Sequence, residues 1–132
     1  MRILICGSRK WSDADAIAHE FDLTPPDEVV TGDAPGADAL AWAEALSRGV
    51  TRFRFFANWS EFGRAAGPIR NQKMLDEGVD EVWAFSDDFY SPHSGTRDMC
   101  RRAYQAGIPA TLFEHDGGRC WGHLLTESDF RD

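Results

Sequence analysis

Arg2-Ile3-Leu4-Ile5-Cys6-Gly7-Ser8-Arg9-Lys10-Trp11 is a short apolar run that empties into a glycine and a cluster of polar side chains. Ile3 to Cys6 carries no polar alternation, the pattern of a strand buried on both faces. The same order of apolar strand, polar loop and helix returns three more times. Glu28–Thr31 leads into Gly32-Asp33-Ala34-Pro35-Gly36, Arg52–Ala57 leads toward Gly67-Pro68-Ile69-Arg70-Asn71, and Glu81–Phe85 leads toward Ser94-Gly95-Thr96. In a parallel sheet all four loops lie at the carboxyl ends of the strands, the edge at which open α/β sheets bind ligands.

The helices follow from caps and stops. Ser12 caps a helix whose first turn holds Asp13 and Asp15, and Ile17, Ala18 and Phe21 form its apolar stripe before Pro25-Pro26 ends the region. A second helix spans 36–48, with Leu40, Ala43 and Leu46 on one side and Gly49 as its stop. Asn58–Ala66 reads as a loop, Pro68 as the first residue of a third helix ending at Gly78, and Thr96–Ala106 as a fourth. Ile108-Pro109 opens a fifth strand, Ala110–Phe113. The tail from Glu114 to Asp132 is glycine-rich, then acidic, with Trp121, Leu124 and Leu125 expected to pack back on the body as a short helix. Alternation of strand and helix predicts an α/β fold: a parallel sheet of about five strands with helices on both faces, in one domain over 1–132 whose last residues, 114–132, pack on it or extend from it.

Composition narrows the function. The chain has 132 residues, 42% apolar and 27% charged, with a net charge of −8. That balance argues against nonspecific binding to nucleic acid or anionic membrane, but leaves room for a small anion in a local basic pocket. No apolar run approaches the roughly 20 residues of a membrane span. Met1–Gly7 is too short for a signal peptide and reads as a strand. Cys6, Cys100 and Cys120 are odd in number and widely spaced, as in reduced thiols of a cytoplasmic protein. With no Cys-x-x-Cys pair and scattered histidines, neither a metal nor another cofactor is expected.

Each loop offers groups suited to phosphate or ribose, beside a structural alternative. Gly7, Ser8 and Arg9 present close backbone, a hydroxyl and a forked donor, or simply make a tight turn; Trp11 stacks on a base or closes a core edge. Gly32 and Gly36 flank a turn, and Asp38 accepts from a ribose hydroxyl or stabilises its own helix start. Arg70 and Lys73 share a helix face, and Asn71 bridges ligand or loop. Ser94, Gly95 and Thr96 present hydroxyls and backbone N–H groups to an anion, which is compatible with capping. Asp98 suits ribose binding or acid/base work, and Asp87 and Asp88 lie in the same loop. Neither the Gly-x-Gly-x-x-Gly dinucleotide fingerprint nor a P-loop lysine is present.

Taken together, Gly7-Ser8-Arg9-Lys10-Trp11, Gly32-Asp33-Ala34-Pro35-Gly36-Ala37-Asp38, Arg70-Asn71-Gln72-Lys73-Met74 and Ser94-Gly95-Thr96 resemble the YspA-type, YpsA-related branch of the SLOG superfamily, over Met1 to about Phe113. The resemblance implies a Rossmann-like three-layer sandwich, a site for a nucleotide or nucleotide-derived ligand such as a nucleoside monophosphate or ADP-ribose-like molecule, a sensor or binding role, and a homodimer. The lonely-guy phosphoribohydrolases of the same superfamily are similar at Arg70, Met74, Gly95 and Thr96, which makes N-glycosidic cleavage, with Asp98 and Arg70 as catalytic residues, the alternative. Two departures stand against it: Pro92-His93-Ser94 replaces the paired glycines, and Met99 replaces the carboxylate that would face the ribose. The DNA-processing protein A family shares the superfamily fold, so the resemblance also implies a single-stranded nucleic-acid module as a further alternative, against which the acidic balance stands.

Overall fold

The computed structural model describes residues 1–131. β1 (Arg2–Gly7) leads to α1 (Ala14–Leu23), β2 (Glu28–Thr31) to α2 (Ala37–Ser47), and β3 (Thr51–Arg54) to a short α3 (Trp59–Phe62). A 3-10 turn, Gly63–Ala65, joins α3 to α4 (Ala66–Asp76); β4 (Glu81–Phe85) and α5 (Gly95–Gln105) follow. The chain closes with β5 (Ala110–Asp116), β6 (Arg119–Leu124) and a second 3-10 turn, Glu127–Phe130. One sheet has the order β3-β2-β1-β4-β5-β6. Its first five strands in chain order pair in parallel, and β6 lies antiparallel on β5.

Side-chain period two in β1 divides the core. Ile3 and Ile5 pack with Ile17 and Phe21 of α1, Ala37, Ala41 and Ala45 of α2, and Trp83 and Phe85 of β4. Leu4 and Cys6 pack with Met74 and Leu75 of α4, Met99, Cys100 and Ala103 of α5, and Val82 and Ala84. β1 is therefore apolar from Ile3 to Cys6 because both of its faces are covered there. It also marks the point where strand order reverses: the chain moves outward to β2 and β3, then returns to β4 on the other side. The crevice at such a point opens beyond the carboxyl ends of the strands.

Several expectations are corrected. The sheet has six strands, not about five. β5 continues to Asp116, and Gly117-Gly118, with φ of 61° and 82°, turns it into β6. Two successive positive φ values make the primed turn whose twist matches antiparallel strands. In place of a packed-back helix, Trp121 and Leu124 lie on an edge strand at 54% and 59% exposure, and Leu125 alone of the three is buried. The cap of α1 is Asp13, whose carboxylate accepts from the Ala16 N–H, rather than Ser12. The loop expected over 58–66 contains α3, capped by Asn58. The buried face of α2 is Ala37, Asp38, Ala41 and Ala45, while Leu46 is exposed. Small side chains let that helix lie close to the sheet, a preference that hydrophobic size alone does not reveal.

His115, near the end of β5, fastens three segments. Its ring lies between Asp13 (Nε2 to Oδ2, 2.8 Å) and Asp87 (Nδ1 to Oδ2, 2.7 Å), and its backbone N–H donates to Asp87 at 2.6 Å. It stacks on Trp11 with ring centroids 4.6 Å apart. The hydrogen bond to Asp13, then that to Asp87, raises its pKa above the ordinary 6.5. A folded-state pKa above the unfolded value stabilises the fold fully below about pH 6.5, and that contribution is lost as pH rises through the raised value. Thermal melts of wild type and His115→Gln should therefore differ more at pH 6 than at pH 9; equal differences would contradict the clamp.

Candidate functional site

The loops after β1, β2 and β4 and the start of α4 surround one cleft of about 840 Å³, within the roughly 300–1,000 Å³ usual for small-molecule sites. Gly7, Ser8, Arg9 and Asp38 line it, as do Arg70, Asn71, Ser94, Gly95, Thr96 and Asp98. Of the residues expected from the sequence, Gly32 and Gly36 do not. Their role is to let the loops meet. A Cβ on Gly36, where φ is 79°, would sit 2.3 Å from the Ser8 carbonyl oxygen and 2.5 Å from that of Arg9. A Cβ on Gly32 would sit 2.6 Å from Asp38 Oδ2 and 3.0 Å from Arg70 Cζ.

The first loop is pinned by its backbone. The Ser8 N–H donates to the Phe85 carbonyl at 2.9 Å, and the Ser8 carbonyl accepts from Trp11 and Ala37 at 3.2 and 3.1 Å. The Ser8 hydroxyl donates to Asp88 Oδ2 at 3.3 Å and accepts from the Lys10 N–H at 3.1 Å. Arg9 and Lys10 stand exposed at the tip of this fixed turn. Trp11 is not a base platform: it is 4% exposed, packs edge-on against Phe85 and donates its indole N–H to the Asp13 carbonyl.

The second loop and the start of α4 meet through charge. Arg70 Nη1 donates to Asp33 Oδ1 at 2.7 Å, and the Arg70 Nε is buried without a hydrogen-bond partner. Asp38 is buried and accepts from the Ala34 N–H at 3.2 Å. Burial pushes its carboxyl up to about 6 against the opposing pull of that hydrogen bond and of Arg70. Lys73, expected beside Arg70, is exposed and outside the cleft.

The loop after β4 caps α5. The Ser94 hydroxyl accepts from the Arg97 N–H at 3.1 Å, so the Gly95 and Thr96 N–H groups open the helix without an intrahelical acceptor. His93 precedes it with φ of 61°, the left-handed region. Asp98 is already engaged: Asn71 Nδ2 and Arg102 Nε each donate to its Oδ2 at 2.9 Å. Met99 is buried in the core and reaches the cleft as an apolar surface. Cys6, on the cleft floor, hydrogen-bonds Cys100, which together with burial raises its pKa well above the ordinary value and keeps it a thiol.

Sequence reasoning passed over Arg64, which enters the cleft from the 3-10 turn after α3. Nothing in its neighbourhood marks it, because its placement depends on how that turn folds over α4. Trp59 of α3 also lines the cleft at 47% exposure; its ring edge lies 3.3 Å from where a Cβ on Gly67 would stand. Asp87 is taken by His115, and Asp88 by the hydroxyls of Ser8 and Ser86. Among the described residues no group of three or more His, Cys, Asp or Glu is placed to hold a metal, and no helix is long and apolar enough to cross a membrane.

A mostly parallel α/β sheet with its cleft at the switch point has the Rossmann-like order in which open sheets bind ligands at that edge. The model of the YspA, cpYpsA-related SLOG family matches residues 1–62, which include the first two loops of the cleft. The Gene 61 protein of Mycobacterium phage D29 is 38% identical over 122 residues, spanning 85% of this chain and 95% of that protein. The chain belongs to the YspA, cpYpsA-related SLOG family.

Proposed function

We propose that the cleft binds a nucleotide or nucleotide-derived ligand, and that the protein works as a sensor or binding module rather than a catalyst, in the cytoplasm and as a homodimer. The observation that carries this reading is the convergence of the loops after β1, β2 and β4 and the start of α4 on one cleft that joins cations, hydroxyls and two helix starts. Ser94, Gly95 and Thr96 hold a phosphate at the start of α5, where free N–H groups and the helix dipole favour an anion. Asp38 and Asn71 face the ribose, and Trp59 stacks on the base. The exposure of Phe53, Phe56, Trp59 and Phe62, four large aromatics open to solvent, supports a surface that a second copy covers.

The hydrolase alternative has less support. N-glycosidic cleavage builds positive charge on the ribose, which a free carboxylate stabilises. Asp98 is occupied by Asn71 and Arg102, and Met99 has no charge to offer. A nucleic-acid module is opposed by the net charge of −8.

Native mass spectrometry with AMP, GMP, CMP, UMP, ADP-ribose and NAD tests the reading. Wild type is expected to retain an intact ligand, and Gly95→Trp to lose it. A Cβ on Gly95 meets nothing within 4 Å, so a larger side chain there is expected to obstruct the cleft without disturbing the fold. Retention of the same ligand by Gly95→Trp would contradict the site. Release of free base and ribose 5-phosphate would make the protein a hydrolase, with Asp98 and Arg70 as its catalytic candidates.

A further inference from the structure

The cations of the cleft differ in what they already bind. Arg70 is committed to Asp33 at 2.7 Å, with the Asp38 carboxylate close behind Gly32. Arg102, outside the cleft, neutralises Asp98 at 2.9 Å. Three further cations line the cleft, Arg9, Lys10 and Arg64, and their side chains make no hydrogen bond or ion pair with any described residue. Asp38 feels the charge of Arg9 at longer range, and the carboxylate of Asp88 also borders the cleft.

This surplus stands out against the chain as a whole, where 22 acids outnumber 14 Lys and Arg. Like charges gathered without partners repel one another and weaken a fold. Here they come from two separate elements: Arg9 and Lys10 from the pinned turn after β1, and Arg64 from the 3-10 turn before α4. A single phosphate at the start of α5 gives the Ser94-Gly95-Thr96 loop its anion but leaves these cations uncompensated. A second phosphate linked to the first gives them one.

Resting on the nucleotide reading above, we propose that the ligand carries linked phosphates, as a nucleoside diphosphate or a diphosphate-bridged nucleotide, and that Arg64 with Arg9 and Lys10 selects it over the monophosphate. Arg70, already paired, positions Asp33 and Asp38 at the cleft wall instead of supplying the main ionic contact.

Isothermal titration of the full chain with adenosine, AMP, ADP and ADP-ribose, and with GMP and GDP, tests this. Charge-assisted hydrogen bonds to phosphate lead us to expect the diphosphates to bind about tenfold or more tightly than the matching monophosphates. Arg64→Ala and Arg9→Ala, both at exposed positions, are expected to remove most of that advantage while changing monophosphate affinity less than about threefold. Monophosphate binding equal to or tighter than diphosphate, or an Arg64→Ala loss equal for both, would overturn the inference while leaving the nucleotide reading intact. Failure of every nucleotide to bind wild type would remove both.

Discussion

Gly36→Ala is expected to destabilise the fold by about 2–4 kcal/mol, the combined scale of a strained backbone and an overpacked contact. Gly36 sits at φ 79° and ψ −127°, where side chains are rarely tolerated, and two carbonyl oxygens of the first loop occupy the space a Cβ would need. Those carbonyls cannot retreat cheaply, because Ser8 is tied to Phe85, Trp11 and Ala37. Gly49→Ala provides the comparison. Its φ is 69°, but a Cβ there meets nothing within 4 Å, so only the conformational cost of about 1 kcal/mol remains. Urea titration should separate the two variants clearly. Equal losses would show that the first and second loops are not packed as described.

Asp38→Asn is expected to gain stability at pH 8 relative to pH 4, by roughly 1–3 kcal/mol. Burial raises the Asp38 carboxyl to about 6 in the folded protein, whereas the unfolded chain releases that proton near 3.9. Between those values the folded state holds a proton that the unfolded state has lost, so wild-type stability falls as pH rises from about 4 to about 6 and stays reduced above. Asparagine has no such proton, and its carbonyl still accepts from the Ala34 N–H. Subtracting the two denaturation profiles over pH 4–8 should give a difference that rises through this window; a flat difference would contradict a buried, ionisable Asp38. A residue that weakens the fold at neutral pH and faces the cleft fits the usual exchange of stability for function, and the same variant should bind ribose-containing ligands less well.

Much of the architecture was legible because the central strands are buried on both sides. Glu28–Thr31 and Glu81–Phe85 are found where short apolar runs bounded by loop residues place them. β6 escaped because it is an edge strand: Trp121, Gly122, His123 and Leu124 are all exposed, so no alternation records an inner face. The turn that makes it, Gly117-Gly118, was the available signal. The loops after β1, β2 and β4 were readable as loops, since glycine, capping serine and early acidic residues are local features, whereas residues 67–71, expected to end a loop, lie inside α4. Which charges neutralise which was not, because the Arg70–Asp33 pair, the Asn71–Asp98–Arg102 cluster and the entry of Arg64 arise from segments distant in the chain. Trp11 illustrates the same limit, since its place beside His115 depends on a strand that begins at Ala110.

Amide chemical-shift mapping of the full chain during titration with ADP and AMP tests the central claim most directly. The expected result is a set of shifts confined to Gly7, Ser8, Asn71, Gly95, Thr96 and their neighbours, with the amides of β6 unchanged. Shifts clustered elsewhere, or none at saturating concentrations of both nucleotides, would contradict a nucleotide site at the switch point of the sheet.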